Sequence, residues 1–417
     1  MARQQRLDAP WLRRAPLRDI LAALDRAGEE ARVVGGAIRN TLFDRPPGDI
    51  DIATTALPDE VIKRVQSAGF KAVPTGIEHG TITAVADGQP FEITTLREDV
   101  QTFGRRAKVA FGRDWKRDAE RRDFTINALS ATRDGLIYDY VGGLGDIAGR
   151  RVRFIGDATS RIAEDYLRIL RFFRFHAEYG KGAPDADGVA ACIAGRAGLE
   201  QLSRERIRLE LGKLLLARRV VEGLAVMTES GLLDQLLGGV PLLASLSKLI
   251  DVEVALKVPP DHVRRLGALG VSVIEDVERL RQRLRVSNVE YERLASMADH
   301  WWHISATWDQ QGARVLLYRL GRERYLDRVL LAWTRSPETA ADDRWSAMAM
   351  LPERWMIPKF PLRAADFLER GLQKGPQLGR ALATAEEAWT ASGFPVDGRS
   401  LTMIADRAAA ATRAESG

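Results

Sequence analysis

The pattern of apolar residues changes near residue 156, and this change constrains the fold more than any other feature of the sequence. Between residues 31 and 155, short apolar runs alternate with segments of helical period, which is typical of a mixed α/β domain. From residue 156 onward the chain is rich in Leu, Ala and Arg and its pattern is nearly all helical, with breaks at Gly and Pro. The sequence therefore predicts an α+β protein, with a small β-sheet domain first and helices after it.

Six elements of the mixed part can be assigned from residue types. Apolar and β-branched runs predict strands, Asp87-Gly88 predicts a hairpin turn, and Pro58 fits the first turn of a helix. The predicted strands are residues 31–34, 49–54, 81–86 and 91–96, and the predicted helices are residues 37–43 and 58–68.

Two carboxylates, Asp49 and Asp51, occupy positions i and i+2 of one predicted strand and should therefore share a face. Carboxylates this close repel each other and require a cation, and oxygen ligands without His or Cys nearby suit Mg²⁺. Taken alone, such a pair is most often a solvated strand start. Here Gly35-Gly36 precedes it, and a Gly-Gly turn before a helix can cradle phosphate. The combination predicts a site for a nucleoside triphosphate and its metal ions.

Two further clusters are rich in arginine. Residues 121–129 read RRDFTINAL, which by itself fits a capped helix with two solvated arginines. Residues 164–175 place Arg at every third position of an otherwise strongly apolar helix, so that Asp165 and Arg168 should be neighbours on it. Charged side chains among Leu, Ile and Phe are costly to bury unpaired. This strip is therefore either a set of structural ion pairs or the polar lining of a cleft.

Composition excludes several other classes of protein. The single cysteine, Cys192, excludes a disulfide framework and a Cys-rich zinc site, and the five histidines lack zinc-binding spacing. The longest apolar stretch, residues 231–246, contains Asp234 and Pro241 and is too short to span a bilayer. The N-terminus lacks the apolar segment of a signal peptide. We therefore expect a cytoplasmic protein without a membrane partner.

In order and spacing, these clusters resemble the motifs of the class II tRNA nucleotidyltransferases, which comprise the CCA-adding enzymes and the bacterial poly(A) polymerases. The resemblance covers about residues 31–180, and Tyr166 and Ser130 depart from the residues most common in that family. Residues 35–39 with 49–51 resemble the metal motif, residues 121–129 the RRDxTxNAL motif, residues 139–147 (DYVGGLGDI) the DxxGGxxDL motif, and residues 164–174 the EDxxRxxRxxRF nucleotide-recognition helix.

The resemblance implies a head domain of the nucleotidyltransferase type, similar to that of DNA polymerase beta, followed by an all-helical neck, body and tail. The expected boundaries are an N-terminal helix in residues 1–30, the head in 31–150, a neck with the recognition helix in 151–220, and a tRNA-binding body and tail in 221–417.

The resemblance also implies an activity, the template-independent addition of CCA to the 3′ end of tRNA from CTP and ATP. Asp49 and Asp51 would bind Mg²⁺ ions through which the RNA 3′-hydroxyl attacks the α-phosphate, and pyrophosphate would leave. Glu92 is the candidate for a supporting third carboxylate, the alternative being an outward-facing strand residue. The residues expected to bind the nucleotide are Gly36, Arg39, Arg122, Asp165, Arg168, Arg171 and Arg174.

Within this set, Asp165 and Arg168 would select the base. Cytosine and adenine both present an exocyclic amine beside a ring nitrogen acceptor, which a carboxylate and a guanidinium match. Uracil and guanine present a carbonyl instead and would leave charges unpaired, a costly mismatch. Arg171 and Arg174 would support the helix or contact phosphate.

Two basic segments fit an RNA substrate. Residues 105–122 carry eight basic and three acidic residues, and residues 196–219 carry seven and three. The first is predicted to be a loop, hinged at Gly104 and Gly112, that closes over the nucleotide, with a solvated loop as the alternative.

Two other functions remain open. A poly(A) polymerase shares every motif above, and the expectation of CCA addition over poly(A) addition rests on the length of the chain and on the absence of a long basic C-terminal extension. A non-catalytic RNA-binding protein with the same fold is the more distant alternative, and the intact Asp49 and Asp51 argue against it. The expected partners are tRNA, CTP and ATP, with no obligate protein partner evident.

Overall fold

The structure is a computed structural model that describes residues 5–103 and 106–414. The described chain forms two units. The first comprises the residues up to Leu236 together with Arg283–Arg285, and the second comprises Leu237–Gln282 and the residues from Val286 onward. All strands of the described ranges lie in the first unit, and the predicted order of a sheet domain followed by helices is confirmed. No helix within these ranges combines the length and the apolar character needed to cross a membrane.

A seven-stranded mixed sheet organises the first unit. The strands of the described chain are β1 (Ala31–Val34), β2 (Asp51–Thr54), β3 (Lys71–Gly76), β4 (Thr81–Ala86), β5 (Gln89–Thr95), β6 (Arg97–Phe103), β7 (Arg106–Phe111), β8 (Ser130–Ala131) and β9 (Ile137–Tyr138). The sheet has the order β3-β4-β5-β2-β1-β8-β9, while β6 and β7 form a separate hairpin. β2 runs parallel to β5, and the other pairs of described strands are antiparallel.

Helices make up most of the remainder. Up to residue 237 the helices are α1 (Ala15–Leu24), α2 (Gly36–Leu42), α3 (Pro58–Ser67), α4 (Trp115–Glu120), α5 (Gly143–Ala148), α6 (Ala158–Glu164), α7 (Leu167–Tyr179), α8 (Ala186–Ala194), α9 (Arg204–Leu215), α10 (Val220–Glu229) and α11 (Leu232–Leu237). After it they are α12 (Leu243–Leu256), α13 (His262–Gly270), α14 (Ile274–Leu284), α15 (Asn288–Ala298), α16 (Gln310–Arg335), α17 (Asp343–Ala349), α18 (Leu351–Arg354), α19 (Ala364–Leu368), α20 (Pro376–Ala391) and α21 (Gly398–Ala414).

The strand that carries the paired aspartates is an inner strand. β2 begins at Asp51 rather than at the predicted residue 49, and Asp49 lies just before it. Ile52, Ala53 and Thr54 are all buried, so β2 is covered on both faces and is not the half-buried strand that its alternation predicts. The reason is that Ala53 packs with Val34, Leu96 and Trp115, which cover this face of the strand.

Four phenylalanines join the sheet region to α7. Phe124 packs against Phe154 with ring centroids 4.9 Å apart and against Phe175 at 5.2 Å, and Phe154 stacks on Phe172 at 5.3 Å. Such aromatic pairs add about 0.5–1.5 kcal/mol each beyond the burial of their area. The residues around Phe124 and the helix α7 therefore share one core, which fixes α7 against the RRDFTINAL segment.

The predicted recognition helix is interrupted. α6 ends at Glu164 and α7 begins at Leu167, with Asp165 in an extended conformation at φ −155° and ψ 105°. The side chain of Asp165 accepts the N–H of Leu167 at 3.1 Å and so replaces a backbone partner that a continuous helix would supply. The prediction of one continuous helix was therefore wrong at this point.

The basic segment 105–122 is not a loop. It contains β7 and α4, and Asp114 caps α4 by accepting the N–H of Lys116 at 2.8 Å. Residues 106–111 form the strand β7, which pairs with β6. The many charged residues of the segment made the alternation of polar and apolar residues in this strand hard to recognise. Arg105 lies outside the described residues, as do the side chains of Arg106 and Lys108, so the expected closure over the nucleotide stays a prediction.

Buried ion pairs join four helices of the second unit. Glu253 of α12 accepts from Arg264 at 3.0 Å and from Arg265 at 2.9 Å, both on α13. Asp327 of α16 accepts from Arg293 of α15 at 2.8 Å. Burial raises the pKa of Asp327 to about 6 in spite of the guanidinium groups beside it. Arg264 also lies 3.6 Å from Asp327, so the pairs link α12, α13, α15 and α16, and loss of one partner would leave a buried charge that is strongly destabilising.

The DYVGGLGDI segment is a structural turn. Asp146 is fully buried and accepts from Thr125 Oγ1 at 2.6 Å and from Arg153 Nε at 2.9 Å. The carboxylate of Asp139 accepts four backbone N–H groups, those of Val141, Gly142, Gly143 and Leu144. This segment therefore ties the start of α5 to the RRDFTINAL segment through Thr125.

Two glycines of α5 provide a matched test of this close approach. A Cβ at Gly143 would lie 2.3 Å from the carbonyl oxygen of Thr125, whereas a Cβ at Gly145 meets open space. We expect Gly143→Ala to lower the free energy of unfolding by about 1–3 kcal/mol, because backbone atoms must move. Gly145→Ala should leave it unchanged or raise it by up to about 1 kcal/mol. Urea unfolding measures both, and equal effects of the two substitutions would contradict the geometry.

Candidate active site

Carboxylates converge where β2 begins. The parallel register pairs Asp51 with Glu92 on β5, so both side chains lie on one face of the sheet. Although Asp51 retains exposed surface, removal of part of its hydration raises the pKa of its carboxyl group to about 6. The negative charges of Glu92 and Asp49 add to this rise, and Arg122 opposes it. The site thus concentrates negative charge that its own residues only partly offset.

The residues present fit a divalent cation. Mutually repelling carboxylates are stabilised by a hard cation, and the donor atoms here are all oxygens. Within the described residues, no three His, Cys, Asp or Glu side chains form a ready-made ligand cluster. Mg²⁺ does not need one, since it usually binds through one or two carboxylates together with substrate phosphates and water. Asp49 and Asp51 are the residues that would hold it.

The Gly-Gly turn lies against the second motif. Gly35 has φ +71° and ψ −120°, a conformation open only to glycine, and its N–H donates to the carbonyl of Leu129 at 3.0 Å. A Cβ at Gly35 would lie 3.1 Å from Nη1 of Arg122. Arg122 itself donates to the carbonyl of Asn127 at 3.3 Å and contacts Asp118 at 3.4 Å. The structure therefore brings Arg122 close to the turn, and the positive charge of Arg122 lowers the pKa of Asp51.

Arg39 is buried rather than open to a ligand. It is 9% exposed, and it donates from Nη1 to the side-chain oxygen of Asn127 and from Nη2 to that of Asn40 at 2.9 Å. Its guanidinium lies over the rings of Tyr179, at 4.4 Å, and Phe175, at 5.0 Å. This geometry suits a residue that holds Asn127 in place. A direct contact of Arg39 with the triphosphate stays a prediction.

A buried chain of polar contacts continues from Arg39 to α7. Asn127 donates to Asp123 at 3.0 Å, and Arg171 of α7 donates to the other oxygen of Asp123 at 2.7 Å. Although burial raises the pKa of Asp123, the charge of Arg171 and the hydrogen bonds hold it below its ordinary value. Asp123 and Asn127 were not among the predicted site residues, and their place in the RRDFTINAL segment was the only signal that pointed to them.

The side chains of Asp165 and Arg168 do not form an ion pair with each other. Asp165 Oδ2 accepts from Nη2 of Arg206, on α9, at 2.7 Å. Nη1 of Arg168 donates to Glu164 at 2.5 Å and to the carbonyl of Arg161 at 2.7 Å. The two residues are neighbours, since the N–H of Arg168 donates to the carbonyl of Asp165 at 3.0 Å. The expectation that they share one helix was wrong, because the chain leaves the helical conformation at Asp165. Arg206 was also absent from the predicted site, and no feature of its sequence context distinguishes it from the other arginines of its basic segment.

The last arginine of the strip also has a partner within the protein. Arg174 donates from Nε to Glu210 of α9, which is buried, and its guanidinium lies 4.3 Å above the ring of Phe175. With Arg171 bound to Asp123, both residues support α7. Of the two roles expected for Arg171 and Arg174, the observed contacts favour support of the helix over contact with phosphate.

Two segments of the chain match models of known protein families. The family model of the poly A polymerase head domain matches residues 31–153, and that of a probable RNA and SrmB-binding site of polymerase A matches residues 187–246. A CCA tRNA nucleotidyltransferase 1, mitochondrial, from Homo sapiens is 35% identical over 91% of this chain and 87% of its own length. A CCA-adding enzyme from Limosilactobacillus fermentum is 33% identical over 88% and 90%. The crystal structure of a Bacillus stearothermophilus CCA-adding enzyme in complex with CTP matches with a TM-score of 0.75 and 27% identity, over 96% of this chain and 98% of that one.

The pair of Asp123 and Arg171 can be tested by unfolding. Asp123→Asn leaves the charge of Arg171 without its partner, and we expect a loss of about 2 kcal/mol in the free energy of unfolding. The loss is smaller than for a fully buried pair because the Arg171 side chain remains 33% exposed. Since folding lowers the pKa of Asp123, its contribution exists above the ordinary Asp pKa of about 4 and disappears as the pH falls below it.

Urea unfolding of wild type and Asp123→Asn at several pH values checks both statements. The difference between the two proteins should be largest near neutral pH and should shrink below about pH 4. Asp134→Asn, which removes an exposed pair with Arg6, serves as the control and should change the free energy of unfolding by at most about 1 kcal/mol. A difference for Asp123→Asn that is independent of pH would contradict the assignment.

Proposed function

Since this chain belongs to the family of the CCA-adding tRNA nucleotidyltransferases, we propose that the carboxylates Asp49, Asp51 and Glu92 mark the place where it transfers nucleotides to RNA. The chain is an enzyme that adds CCA to the 3′ end of tRNA, without a template and with release of pyrophosphate. Its substrates are tRNA, CTP and ATP. The supporting observation for the site is the register of Asp51 beside Glu92, within the field of Arg122.

Each residue of the site has a distinct role in the transfer reaction. The 3′-hydroxyl of the RNA attacks the α-phosphate, and the bond to pyrophosphate breaks. Mg²⁺, held by Asp49 and Asp51 when bound, would lower the pKa of the hydroxyl and neutralise the charge of the leaving oxygens. Glu92 adds a negative charge beside Asp51. Arg122 is placed to donate to the triphosphate, since it lies beside both the Gly-Gly turn and Asp51.

The remaining residues that we assign to nucleotide binding lie in two parts of the site. Gly36, the first residue of α2, and Arg39 lie at the turn, where we assign Arg39 a positioning role through Asn127. Asp165 and Arg168 lie at the start of α7, where we assign them the selection of the base. Nη1 of Arg168 is held by Glu164, which leaves the orientation of its guanidinium fixed for donation to the ring nitrogen. Arg171 and Arg174 keep α7 in place.

The division into an N-terminal helix, head, neck, and tRNA-binding body and tail remains our proposal for the whole chain. The match of residues 187–246 to an RNA-binding family model supports contact of the helices after the head with RNA. We propose the cytoplasm as the site of action, a point that the mitochondrial name of the human relative leaves to experiment. Subcellular fractionation of cells expressing the chain tests it.

A product assay separates the possible activities. A tRNA that ends before CCA is incubated with CTP alone, with ATP alone and with both, and the products are sequenced. Addition of CCA requires both triphosphates and stops after three residues. A poly(A) polymerase, which the name of the head-domain family model keeps as the second candidate, would instead extend with ATP alone and without a fixed end. A non-catalytic RNA-binding protein would bind the tRNA and extend nothing.

The metal-binding assignment predicts a selective loss of chemistry. Asp49→Asn and Asp51→Asn should each lower kcat by at least about a thousandfold, because an ion held by half its ligands cannot stabilise the transition state. The affinity for tRNA should stay within about twofold, since it depends on many separate phosphate contacts. Asp87→Asn, in the exposed turn between β4 and β5, is the matched control and should behave as wild type. Substantial turnover in either site variant would refute the assignment.

The base-selection assignment predicts a change in the choice of nucleotide. Asp165→Ala removes the acceptor for the exocyclic amine and the repulsion of a carbonyl. Because a charged hydrogen bond contributes about 1.5–3 kcal/mol, the ratio of kcat/KM for CTP over UTP should fall by roughly tenfold to a hundredfold. Arg168→Ala should affect the four nucleotides more evenly. Measurement of kcat/KM for all four triphosphates checks this, and a wild-type ratio in Asp165→Ala would show that the base is selected elsewhere.

A further inference from the structure

A cavity in the second unit is lined by arginines and tryptophans. It has a volume of about 350 Å³ and lies between the start of α16 and the helices α17 and α18. This volume is within the range of sites that bind small molecules. The lining includes Trp308, Arg314, Arg344, Arg354 and Trp355, all of which belong to the second unit. The cavity therefore lies outside the unit that contains the carboxylates of β2.

The positive charge of this cavity is not neutralised by the protein. Among residues 5–103 and 106–414, no acidic side chain forms an ion pair with Arg314, Arg344 or Arg354. Asp309 is the only acid among the described lining residues, and its carboxylate caps α16 by accepting the N–H of Gly312 at 2.7 Å. Three guanidinium groups around one cavity attract an anion, and they suit phosphate because its oxygens match their donors.

Arg314 carries a donor that the described protein leaves unused. Its Nε is buried and has no hydrogen-bond partner within the described ranges of the chain. Its guanidinium lies 5.5 Å from the ring centroid of Trp355, so the charge and one indole ring of the lining are in contact. Since nearly all buried polar groups have a partner, an unsatisfied one beside a cavity indicates a partner that is supplied from outside.

The second indole ring of the lining is also accessible. Trp308 lies beside the first turn of α16, where a Cβ on Gly312 would be 3.6 Å from its Cε3 atom. Trp308 is half-buried and also lines a neighbouring cavity of about 750 Å³. Indole rings stack on nucleobases of any sequence, because every base has a π face. A phosphate ion alone would make no use of either tryptophan.

We propose that this cavity is a second nucleotide site, with the phosphate bound by Arg314, Arg344 and Arg354 and the base stacked on Trp308 or Trp355. The ligand is a nucleoside phosphate, either as a free nucleotide or as one nucleotide of an RNA chain, which present the same chemistry to the cavity. The proposal goes beyond the proposed function, because this site needs neither Mg²⁺ nor the carboxylates of β2.

Photolabelling of the full-length protein locates such a site directly. Azidoadenosine monophosphate is irradiated with the protein in the presence of EDTA, and the labelled peptides are identified by mass spectrometry. A second probe, tRNA that ends before CCA and carries thiouridine, is treated in the same way. The two probes distinguish a free nucleotide from a nucleotide of RNA.

The variants are Arg314→Gln, Arg344→Gln and Trp308→Leu, with Arg322→Gln as the matched control. Arg322 also lies on α16, but it pairs with Glu353 at 3.6 Å, and both side chains are well exposed. Each variant is also assayed for kcat and for the KM for tRNA.

We expect the free nucleotide, the tRNA or both to label peptides within residues 306–355. For the probe that labels them, the concentration for half-maximal labelling should rise about tenfold in each of the three variants, because each loses a charged hydrogen bond or a stacked ring. Arg322→Gln should behave as wild type, and Asp49→Asn should still be labelled. Excess CMP should prevent labelling by azidoadenosine monophosphate, and an equal concentration of inorganic phosphate should not. If the ligand belongs to tRNA, the KM for tRNA should also rise in the three variants at unchanged kcat.

Three results would overturn the proposal. Labelling by neither probe within residues 306–355 removes the site, and displacement by inorganic phosphate as effective as that by CMP makes it an anion site without base recognition. Labelling of Arg344→Gln and Arg314→Gln at the wild-type level removes the role of the arginines. If Trp308→Leu does not fold, the exposed Arg344 provides the variant that decides. Failure to add CCA with labelling retained would refute the proposed function and leave this site in place.

Discussion

The buried ion pair between Asp123 and Arg171 is the contact on which the geometry of the site depends. Asp123 belongs to the segment that packs against the Gly-Gly turn, and Arg171 belongs to α7, so the pair joins the region of the turn to α7. Through its other oxygen, Asp123 holds Asn127, which in turn binds Arg39. A buried polar chain of this kind is tolerated only when each member has its partners. This series of polar contacts therefore fixes the position of the Gly-Gly turn relative to α7.

The carboxylates at β2 have a different electrostatic environment from that of Asp123. Asp123 has enough positive neighbours to lower its pKa, whereas the pKa of Asp51 is raised because burial and the charges of Glu92 and Asp49 outweigh Arg122. The first arrangement stabilises the fold, and the second stores an excess of negative charge at an accessible place. In the function that we propose, the first arrangement holds the frame of the site, and the second becomes neutral only when a cation is bound.

Elements that depend on local residue patterns could be predicted from the sequence. Contacts between residues far apart in the sequence could not. The strands at 31–34 and 81–86 and the turn at Asp87-Gly88 follow from residue types, and the structure contains them. The placement of Glu92 beside Asp51 needed the parallel register of two strands, which no local pattern reports. The two-residue strands β8 and β9 are too short for any periodicity to show. At the break, the ring of Tyr166 packs beside residue 198, a contact that helical periodicity cannot predict.

The three arginines of α7 were expected either to form structural ion pairs or to line a cleft, and the two roles are compatible. They are too costly to bury without partners, and each has an acid from a different part of the chain. Arg168 is bound by Glu164 before the break, Arg171 by Asp123 and Arg174 by a glutamate of α9. Three ion pairs in different directions fix the rotation of α7 about its own axis, which apolar contacts alone would leave less determined. The strip is therefore structural, and it holds Arg168 and the adjoining Asp165, to which we assign base selection, in one fixed arrangement.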